Sequence, residues 1–353
     1  MLEPHQRLEA FVKLGTLLKD YTQYKTQNKG SIPDNNSVYE KLDASVELAG
    51  HKNGWFTRDQ VAFALQVWAN CLDKEKLSAW LEPYGIKGNQ NEEVALILAG
   101  NIPLVGFHDL LAVLLTGNKA RVKLSSNDSV LLPAIMDVLE ELKPGMKNLV
   151  HFEEERLHAF DRVIATGSNN TARYFQYYFG KKPHIIRKNR NSVAILSGNE
   201  SQETLIALGQ DVFQYYGLGC RSVSKLFVPK GYDFEPLFKA FENYRYLIEE
   251  RKYQNNYDYN KAIFLMSEFS FLDNGFVVLK EDQSFASPIG TLFYEHYNES
   301  KSLKSRLDME HDNIQCLVAE GFIEDEVPFG KTQYPSLTDY ADGVDTVEFL
   351  LKR

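Results

Sequence analysis

The first 88 residues carry the hydrophobic spacing of amphipathic helices. Apolar residues recur three and four positions apart around residues 8–18 and again around residues 61–72. This spacing places side chains on one face of a helix. A polar stretch at residues 28–36 contains Gly30 and Pro33 and predicts a loop between helices. The pattern therefore predicts a helical N-terminal segment over residues 1–88, with Cys71 interpreted as core filler on its second helix.

From residue 94 the pattern changes to short apolar runs that alternate with amphipathic ones. This alternation is typical of a parallel sheet covered by helices on both faces, and in such sheets ligands collect at the carboxyl ends of the strands. The residues to consider are therefore Asn101, residues 123–126, Gly167 and Ser168. The predicted strands are residues 94–99, 120–124, 149–152 and 162–165, and the predicted helices are residues 107–115, 130–142 and a third that ends at Phe179.

A second α/β unit is predicted to begin around residues 184–196. Ser201 is a predicted N-cap of the helix that leads toward Cys220. The tail, residues 345–351, is predicted to be a strand that pairs with a neighbouring edge or with another subunit. Between them the pattern predicts strands at residues 225–229, 275–279, 290–294 and 314–319, a helix at 234–251 and a polar connection at 253–259.

Cys220 stands between an apolar helix-like run and a strand-like run. The Gly217-Leu218-Gly219 break predicts a tight connection there, where a scaffold can expose a reactive side chain. Arg221 adds a fixed positive charge beside the thiol, which favours its thiolate form. Cys220 is therefore a candidate nucleophile. The alternative, a small buried hydrophobe, is the commoner fate of a free cysteine.

Composition narrows the class of protein. The 353 residues are enough for two cores. A net charge of −9 argues against a nucleic-acid-binding protein. Three irregularly spaced cysteines form neither a disulfide framework nor a zinc site, so no metal is expected, and they fit a reducing cytoplasm. The sequence shows neither a signal peptide nor an apolar run long enough to span a bilayer, and a cytoplasmic protein is the expectation.

Four motifs occur in the order found in the aldehyde dehydrogenase superfamily. They are Asn101-Ile102-Pro103, the turn Lys123-Leu124-Ser125-Ser126, the turn Thr166-Gly167-Ser168 and the stretch Gly217-Leu218-Gly219-Cys220. The chain resembles more closely the acyl-CoA reductase branch, the LuxC-like fatty-acid reductases. That narrower resemblance rests on the stretches at residues 100–106, 114–118, 285–290 and 341–345 and covers the chain from about residue 90 onward.

The resemblance implies an α/β protein of the aldehyde-dehydrogenase-like fold. It implies a Rossmann-like NAD(P)-binding domain at residues 89–190 and an α/β catalytic domain at residues 191–325. The helical segment 1–88 is expected to pack on the cofactor domain. Residues 326–353 are expected to form a C-terminal return segment with an oligomerisation strand, and both the strand and the resemblance imply a dimer or larger assembly.

The resemblance also implies roles for two residues in chemistry. Cys220 matches the nucleophile that becomes acylated by the substrate. Asn101 matches the side-chain amide that forms the oxyanion hole together with the Cys220 backbone N–H. The alternative for Asn101 is an asparagine that caps the helix after Pro103.

Cofactor contacts are implied for two turns. Lys123 matches the lysine that contacts the adenosine ribose, and Ser125 and Ser126 belong to the same turn. Gly167 and Ser168 match the turn that meets the pyrophosphate at a helix start, which is a ready anion site. The alternatives are an ordinary charge at a strand end and a merely structural Gly-Ser turn. His108 is a candidate proton donor to the departing sulfur or the aldehyde, or else a packed histidine.

Two departures from the family pattern refine the expected activity. The segment that in many relatives carries the glutamate for hydrolysis of the acyl-enzyme is here residues 186–190, which contain no carboxylate. Without that base the acyl-enzyme should persist until hydride reaches it, so reduction is favoured over oxidation. Ser126 stands where NAD-preferring members often have a glutamate, so NADPH is the expected cofactor and NADH the alternative.

The sequence therefore predicts reduction of an acyl-CoA or similar thioester to an aldehyde, through an S-acyl cysteine, with NADPH or NADH and no metal. The expected partners are the acyl-CoA substrate, further copies of the chain, and an enzyme that supplies the acyl group or accepts the aldehyde. Neither nucleic acid nor a membrane span is expected. Two alternatives remain, an aldehyde dehydrogenase working oxidatively and a non-catalytic member that binds an acyl group or a partner.

Overall fold

The computed structural model describes residues 2–27, 37–155, 157 and 159–352. The chain divides into two compact units. Unit 1 contains residues 1–188 and 336–353, and unit 2 contains residues 189–335. The predicted loop at residues 28–36 lies outside the described residues.

Unit 1 begins with helices, as the N-terminal spacing predicts. They are α1 (Pro4–Gln27), α2 (Ser37–Lys52), α3 (Arg58–Cys71) and α4 (Lys74–Leu81). Helix α1 packs on α3. Each helix has one buried apolar face, with residues three or four positions apart: Phe11, Leu14 and Leu18 on α1, and Val61 and Leu65 on α3. The Asp73 carboxylate accepts hydrogen bonds from two N–H groups in the first turn of α4 and fixes its start.

A five-stranded parallel sheet forms the centre of unit 1. Its order is β3-β2-β1-β4-β5, which is a Rossmann-type order with a reversal between β1 and β4. Ile97 at the end of β1 lies opposite Lys123 of β2 and Ala165 of β4. The carboxyl ends of these three strands therefore form one edge. The strands are β1 (Glu93–Ile97), β2 (Lys119–Lys123), β3 (Val150–Phe152), β4 (Arg162–Thr166) and β5 (His184–Arg187), and the helices between them are α5 (Phe107–Leu115), α6 (Leu131–Leu142) and α7 (Asn169–Phe179).

Arg7 ties the N-terminal helices to the layer that covers this sheet. Its side chain is fully buried and donates hydrogen bonds to the carbonyl oxygens of Leu114 (2.9 Å) in the last turn of α5 and of Asn118 (2.7 Å) just before β2. A helix end leaves carbonyl groups without intrahelical partners, and a guanidinium supplies donors for them. Helix α1 and helix α5 are thereby held together at the end of α5 opposite Asn101.

Unit 2 contains a six-stranded sheet of order β11-β6-β7-β10-β9-β8. All neighbouring pairs are parallel except β8 with β9. The strands are β6 (Asn191–Ile195), β7 (Val223–Pro229), β8 (Phe271–Asp273), β9 (Val278–Glu281), β10 (Thr291–Tyr297) and β11 (Ile314–Val318). The helices are α8 (Gln202–Phe213), α9 (Glu235–Phe241), α10 (Arg251–Met266) and α11 (Ser300–Met309), with a 3₁₀ segment at Glu242–Glu249.

Three details of unit 2 differ from the sequence prediction. The tyrosine-rich stretch at residues 253–259 is part of α10, because Tyr253 and Tyr257 are buried at helical spacing. The strand predicted at 275–279 begins only at Val278, because the Asn274 side chain accepts hydrogen bonds from the Phe276 and Val277 N–H groups and holds these residues in a turn. Helix α11 was not predicted. Its polar surface leaves only Leu303 and Leu307 as buried apolar residues.

The predicted C-terminal strand is wrong, because residues Thr346–Leu351 form a helix, α12. The Asp345 carboxylate accepts a hydrogen bond from the Glu348 N–H at 2.8 Å and caps the helix. Val347 and Leu350, three positions apart, are buried against α5. The Arg162 guanidinium donates to the carbonyl oxygens of Phe349 and Lys352. The tail therefore closes unit 1, and the oligomerisation strand has no basis.

In the part of the chain that the structure describes, none of the helices combines the length and the apolar character needed to cross a bilayer.

Candidate functional site

The predicted cofactor residues of unit 1 meet at one edge of its sheet. Asn101 follows β1, Lys123 ends β2 and Gly167 follows β4. Because these strands are parallel neighbours in register, the three loops leave the same edge, at the point where the strand order reverses. This is the place where open α/β sheets bind ligands.

Gly100 lets the Asn101 loop approach the Lys123 turn closely. A Cβ atom at Gly100 would lie 2.6 Å from Ser125 Oγ and 2.7 Å from Ser125 Cβ. Such distances are too short for real Cβ contacts, so a side chain at this position would push the two loops apart. The loop that carries the candidate oxyanion donor and the turn that carries Ser125 therefore form one packed element.

The turn at residues 123–126 places polar side chains at the carboxyl-end edge of the sheet. Lys123 Nζ donates to the carbonyl oxygen of Glu154, and Ser125 Oγ accepts from the Asn127 N–H at 3.2 Å. Ser126 is exposed. Arg121 is ion-paired with Glu93 (3.3 Å) and Glu153 (2.8 Å). Its charge is therefore engaged within the sheet.

Lys119 is separated from this edge. It stands at the first residue of β2, opposite Glu93, and its Nζ lies 3.8 Å from that carboxylate. Parallel strands present their first residues at the edge opposite to the carboxyl ends. Lys119 is therefore placed away from the turn that Lys123 and Ser126 share.

Asp128, which follows the Lys123 turn, links that turn to the loop that carries Asn101. Its side chain is 8% exposed, and its Oδ2 accepts a hydrogen bond from the Leu104 N–H at 3.0 Å. Leu104 has a φ of 58°, in the left-handed region, which an L-residue occupies only when neighbours hold it there. Asp128 Oδ1 is buried without a hydrogen-bond partner among the described residues. Burial raises the pKa of Asp128 from 3.8 to about 6, against the opposing backbone hydrogen bonds.

We expect the stability of unit 1 to depend on pH through Asp128. A carboxyl whose folded pKa is raised binds its proton more tightly in the folded state, so its contribution to stability is fully present below pH 3.8 and is lost as pH rises through about 6. The loss corresponds to about 3 kcal/mol in the free energy of unfolding. The D128N variant should lack this dependence. Urea unfolding of both proteins at about pH 4 and about pH 7 measures the difference, and equal pH slopes would contradict the assignment.

Ser168 begins helix α7 as its N-cap. Its Oγ accepts a hydrogen bond from the Thr171 N–H at 3.2 Å, the usual arrangement for satisfying a first-turn donor. A Cβ at Gly167 would lie 3.0 Å from Thr171 and 3.1 Å from Phe175. Gly167 therefore allows the helix to start directly at the strand end, which brings its N–H groups to the ligand-binding edge.

His108 lies in an aromatic surrounding. Its ring packs near Trp68, Trp80 and Tyr340, with centroids 5.4–6.4 Å apart, and its Nε2 lies 3.0 Å from the Leu337 carbonyl oxygen. Burial lowers the pKa of His108 below its ordinary value, so the ring is neutral and donates to that carbonyl. This placement supports the alternative of a packed histidine rather than a proton donor.

Cys220 lies in a turn between α8 and β7 in unit 2, where the Gly-Leu-Gly break predicts a tight connection. The Ser222 N–H donates to the Gly219 carbonyl oxygen at 3.0 Å and closes the turn. Ser192 Oγ, fully buried on β6, donates to the Cys220 carbonyl oxygen at 2.9 Å and accepts from the Cys316 N–H at 3.1 Å. The backbone of the nucleophile candidate is thus fixed to the sheet, and its side chain is half-buried.

The approach to this turn has an uncommon backbone. Tyr215, Tyr216 and Gly217 have φ angles of 55°, 58° and 76°. Two buried tyrosines in the left-handed region cost on the order of 1–3 kcal/mol each, a kind of strain that is concentrated at functional sites. The Leu218 N–H donates to the Tyr215 carbonyl oxygen at 3.0 Å and closes a turn here, and Cys220 follows it three residues before the start of β7.

A cavity of about 30 Å³ lies behind the turn, lined by Tyr216, Gly217, Ser224, Tyr253 and Thr291 among others. The hydroxyls of Tyr253 and Thr291 are buried without a partner among the described residues. The volume equals the share of one water molecule in the liquid. The cavity is too small for an acyl chain and suits a single polar guest.

Sequence reasoning missed the residues that hold the site. Ser192, Asp128 and Asp211 are single polar residues in ordinary contexts, and their partners are remote in the sequence. The local signal is a polar residue directly beside an apolar run, as at Ser192 and Asp211, which is compatible with a buried hydrogen bond but does not identify its partner. Over the described part of the chain, His, Cys, Asp and Glu do not gather into a group of three or more that could hold a metal.

Comparison with known proteins agrees with this description. Residues 89–237 match the family profile described as acyl-CoA reductase (LuxC). No curated protein matches the sequence significantly.

Solved structures of aldehyde dehydrogenases resemble the chain. An indole-3-acetaldehyde dehydrogenase from P. syringae, in complex with NAD+ and IAA, has a TM-score of 0.61 and 12% identity over 90% of this chain and 72% of its own. An aldehyde dehydrogenase from Physcomitrella patens, in complex with the reaction product succinate, has a TM-score of 0.58 and 13% identity over 90% and 73%. One from Bacillus cereus, in complex with NAD+, has a TM-score of 0.57 and 13% identity over 88% and 71%. The fold is thus aldehyde-dehydrogenase-like.

Proposed function

We propose that this chain is a member of the LuxC-like acyl-CoA reductase branch of the aldehyde dehydrogenase superfamily and reduces an acyl thioester such as an acyl-CoA to the aldehyde. One observation carries the proposal. The matched region, residues 89–237, contains both Asn101 and Cys220 and also the turns at Lys123 and Gly167. Nucleophile, oxyanion donor and cofactor contacts therefore all fall within the part of the chain that the family shares.

In the proposed reaction, the Cys220 thiolate attacks the thioester carbonyl carbon. The Cys220 N–H donates a hydrogen bond to the oxyanion, the family resemblance implies the Asn101 side-chain amide as the second donor, and the carrier thiolate leaves as the acyl-cysteine forms. Addition of a hydride to the acyl carbonyl carbon leaves the hemithioacetal oxygen as an oxyanion. The carbonyl re-forms as the C–S bond breaks, which releases the aldehyde and regenerates the Cys220 thiolate, while the departed carrier thiolate takes its proton from water. The Ser192 hydrogen bond to the Cys220 carbonyl supports this sequence because it fixes the backbone that supplies the N–H donor.

Reduction rather than hydrolysis is favoured by the segment at residues 186–190. It contains no carboxylate, and its Arg187 is occupied structurally, donating to Asp109 at 2.6 Å and to the Thr346 hydroxyl at 3.0 Å. Without a general base to activate water, the acyl-enzyme has a longer lifetime in which to be reduced. An oxidative aldehyde dehydrogenase would need such a base.

A reduced nicotinamide dinucleotide fits the edge described for unit 1. Lys123 and Ser126 would hold its adenosine ribose, and Gly167 with Ser168 would meet its pyrophosphate at the start of α7. When bound, the cofactor supplies the hydride for the acyl carbonyl carbon. Because exposed Ser126 carries no charge to repel a 2′-phosphate, we propose NADPH as the preferred form.

The S126E variant should reverse this preference. A carboxylate at this exposed position adds repulsion against a 2′-phosphate and an acceptor for the ribose hydroxyls. We expect kcat/KM for NADPH to fall by about tenfold or more relative to NADH. Initial rates with both cofactors measure the ratio, and the S126A variant serves as the neutral control. An unchanged ratio would remove Ser126 from the cofactor site.

One assay tests the function as a whole. Purified protein is incubated with acyl-CoAs of several chain lengths and each reduced nicotinamide, and cofactor absorbance and free CoA are followed together. The proposal expects equal amounts of oxidised cofactor and released CoA. Acid formation from added aldehyde with an oxidised cofactor would instead favour the oxidative alternative, and a chain inactive in both directions would favour a binding role.

A further inference from the structure

Arg221, the residue after the candidate nucleophile, is anchored through one nitrogen only. Its Nε donates to the Thr332 carbonyl oxygen at 2.6 Å. Among the described residues, its two terminal nitrogens have no hydrogen-bond partner, and no carboxylate forms an ion pair with it. The two terminal nitrogens of the guanidinium therefore remain as a pair of parallel N–H donors beside the turn that carries Cys220.

The anchor of Arg221 is itself held rigidly. We define the strap as residues 330–333. Asp211 on α8 is fully buried, and its carboxylate accepts from the Gly330 N–H (2.6 Å), the Thr332 N–H (2.9 Å) and the Thr332 hydroxyl (2.9 Å). Both carboxylate oxygens are used by the strap. The Asp211 charge thus fixes the position of Arg221 without pairing with it.

A second contact ties the strap to the nucleophile turn. Gln333 Nε2 lies 3.3 Å from Ser222 Oγ, and both side chains are buried. A Cβ at Gly330 would lie 3.0 Å from Ala207 of α8, so the strap is packed directly on that helix. Lys331 is exposed and forms no ion pair among the described residues, with its Nζ 5.6 Å from the Tyr334 ring centroid. The strap therefore adds a second positive charge, which acts on the Asp211 carboxylate: burial raises the pKa of that carboxyl, and the Lys331 charge opposes the rise.

We propose that Arg221 is a specificity-determining residue that binds an anionic group of the acyl substrate. A guanidinium edge of two donors matches a carboxylate or a phosphate in bidentate geometry, and pre-organisation by the strap lowers the entropic cost of binding. The anion is either a carboxylate on the acyl chain or a phosphate of its carrier. This inference rests on the proposed function for the identity of the substrate, but not for the existence of the anion site.

Alkylation of Cys220 tests the anion site without any assumption about the reaction. Iodoacetate and iodoacetamide differ in charge and attack the same thiol, so the ratio of their rate constants cancels the intrinsic reactivity of Cys220. We expect the R221Q variant to lower the ratio of iodoacetate to iodoacetamide by about ten- to hundredfold. R221K should lower the ratio less, because lysine keeps the positive charge and loses only the bidentate donor geometry. An unchanged ratio in R221Q would overturn the proposal.

Matched variants separate recognition from a general effect on folding. R251Q removes an exposed arginine at the start of α10 in the same unit and should leave the ratio unchanged. D211N weakens the strap and should lower the ratio toward that of R221Q. If R251Q lowers the ratio as much as R221Q does, the effect is a diffuse field of positive charge and the assignment to Arg221 fails.

Four thioesters then identify the source of the anion. They are the butyryl and succinyl thioesters of CoA and of N-acetylcysteamine, which carries no phosphate. If Arg221 binds a chain carboxylate, R221Q should lower kcat/KM for succinyl on both carriers by about tenfold or more. If it binds a carrier phosphate, the loss should follow CoA with both chains. An equal loss on all four would assign Arg221 to thiol activation and overturn the proposal. If no thioester is reduced while the alkylation ratio still depends on Arg221, the proposed function fails and the anion site stands.

Discussion

The C220A variant is expected to lose acyl transfer completely and to reduce acyl-CoA at least about 10⁴-fold more slowly than the natural chain. The physical reason is that no other atom in the turn can form the covalent ester, since the neighbouring Ser222 is buried and engaged by Gln333. Incubation with acyl-CoA labelled in its acyl group measures the covalent intermediate directly. The natural chain should retain label after denaturation, and the variant should retain none.

C71S is the matched control for this experiment. Cys71 is also half-buried and ends α3 in unit 1, and burial raises the pKa of its thiol, which disfavours the nucleophilic form. Labelling and reduction should both persist in C71S. Label that persists in C220A would identify another nucleophile and discard the mechanism.

The N101A variant should have the second-largest effect, a loss of about 10²- to 10³-fold in kcat, or about 3–4 kcal/mol of transition-state stabilisation. The oxyanion exists only after attack on the carbonyl, so the amide acts on the transition state more than on the bound substrate. KM should therefore change much less than kcat. Single-turnover measurement of cofactor oxidation reports the chemical step.

N127A controls for substitutions near the same loops. Asn127 is an exposed asparagine in the turn that follows Ser126, and its side chain has no proposed role in the reaction. Its activity should remain within about twofold of the natural chain. If N101A raises KM and leaves kcat unchanged, Asn101 serves substrate binding or caps the following helix, as its alternative interpretation holds.

The alternating pattern predicted the architecture of unit 1 well, because strands buried on both faces leave a distinct apolar signal. The tail shows where that signal fails. In residues 345–351 the apolar positions fit a strand and a helix equally. What decides for the helix is the capping carboxylate of Asp345 and the Arg162 side chain at its other end, and the second of these contacts lies 187 positions away in the sequence.

The candidate site divides in a similar way. The residues proposed to act directly, Cys220 and Asn101, stand in local contexts of glycine turns and strand ends that the sequence displays. Residues that hold them in place do not, because their partners come from other elements. Arg221 is adjacent to Cys220, yet its anchor at Thr332 is 111 positions away. Only the folded chain brings such pairs together.

Residues 189–335 interrupt unit 1, and this has a consequence for biosynthesis. The ribosome delivers the whole of unit 2 before it adds residues 336–353, so unit 2 can fold while unit 1 still lacks α12 and the Leu337 carbonyl that accepts from His108. The buried face of α5 that α12 covers is then exposed to solvent or to chaperones throughout the translation of about 150 residues.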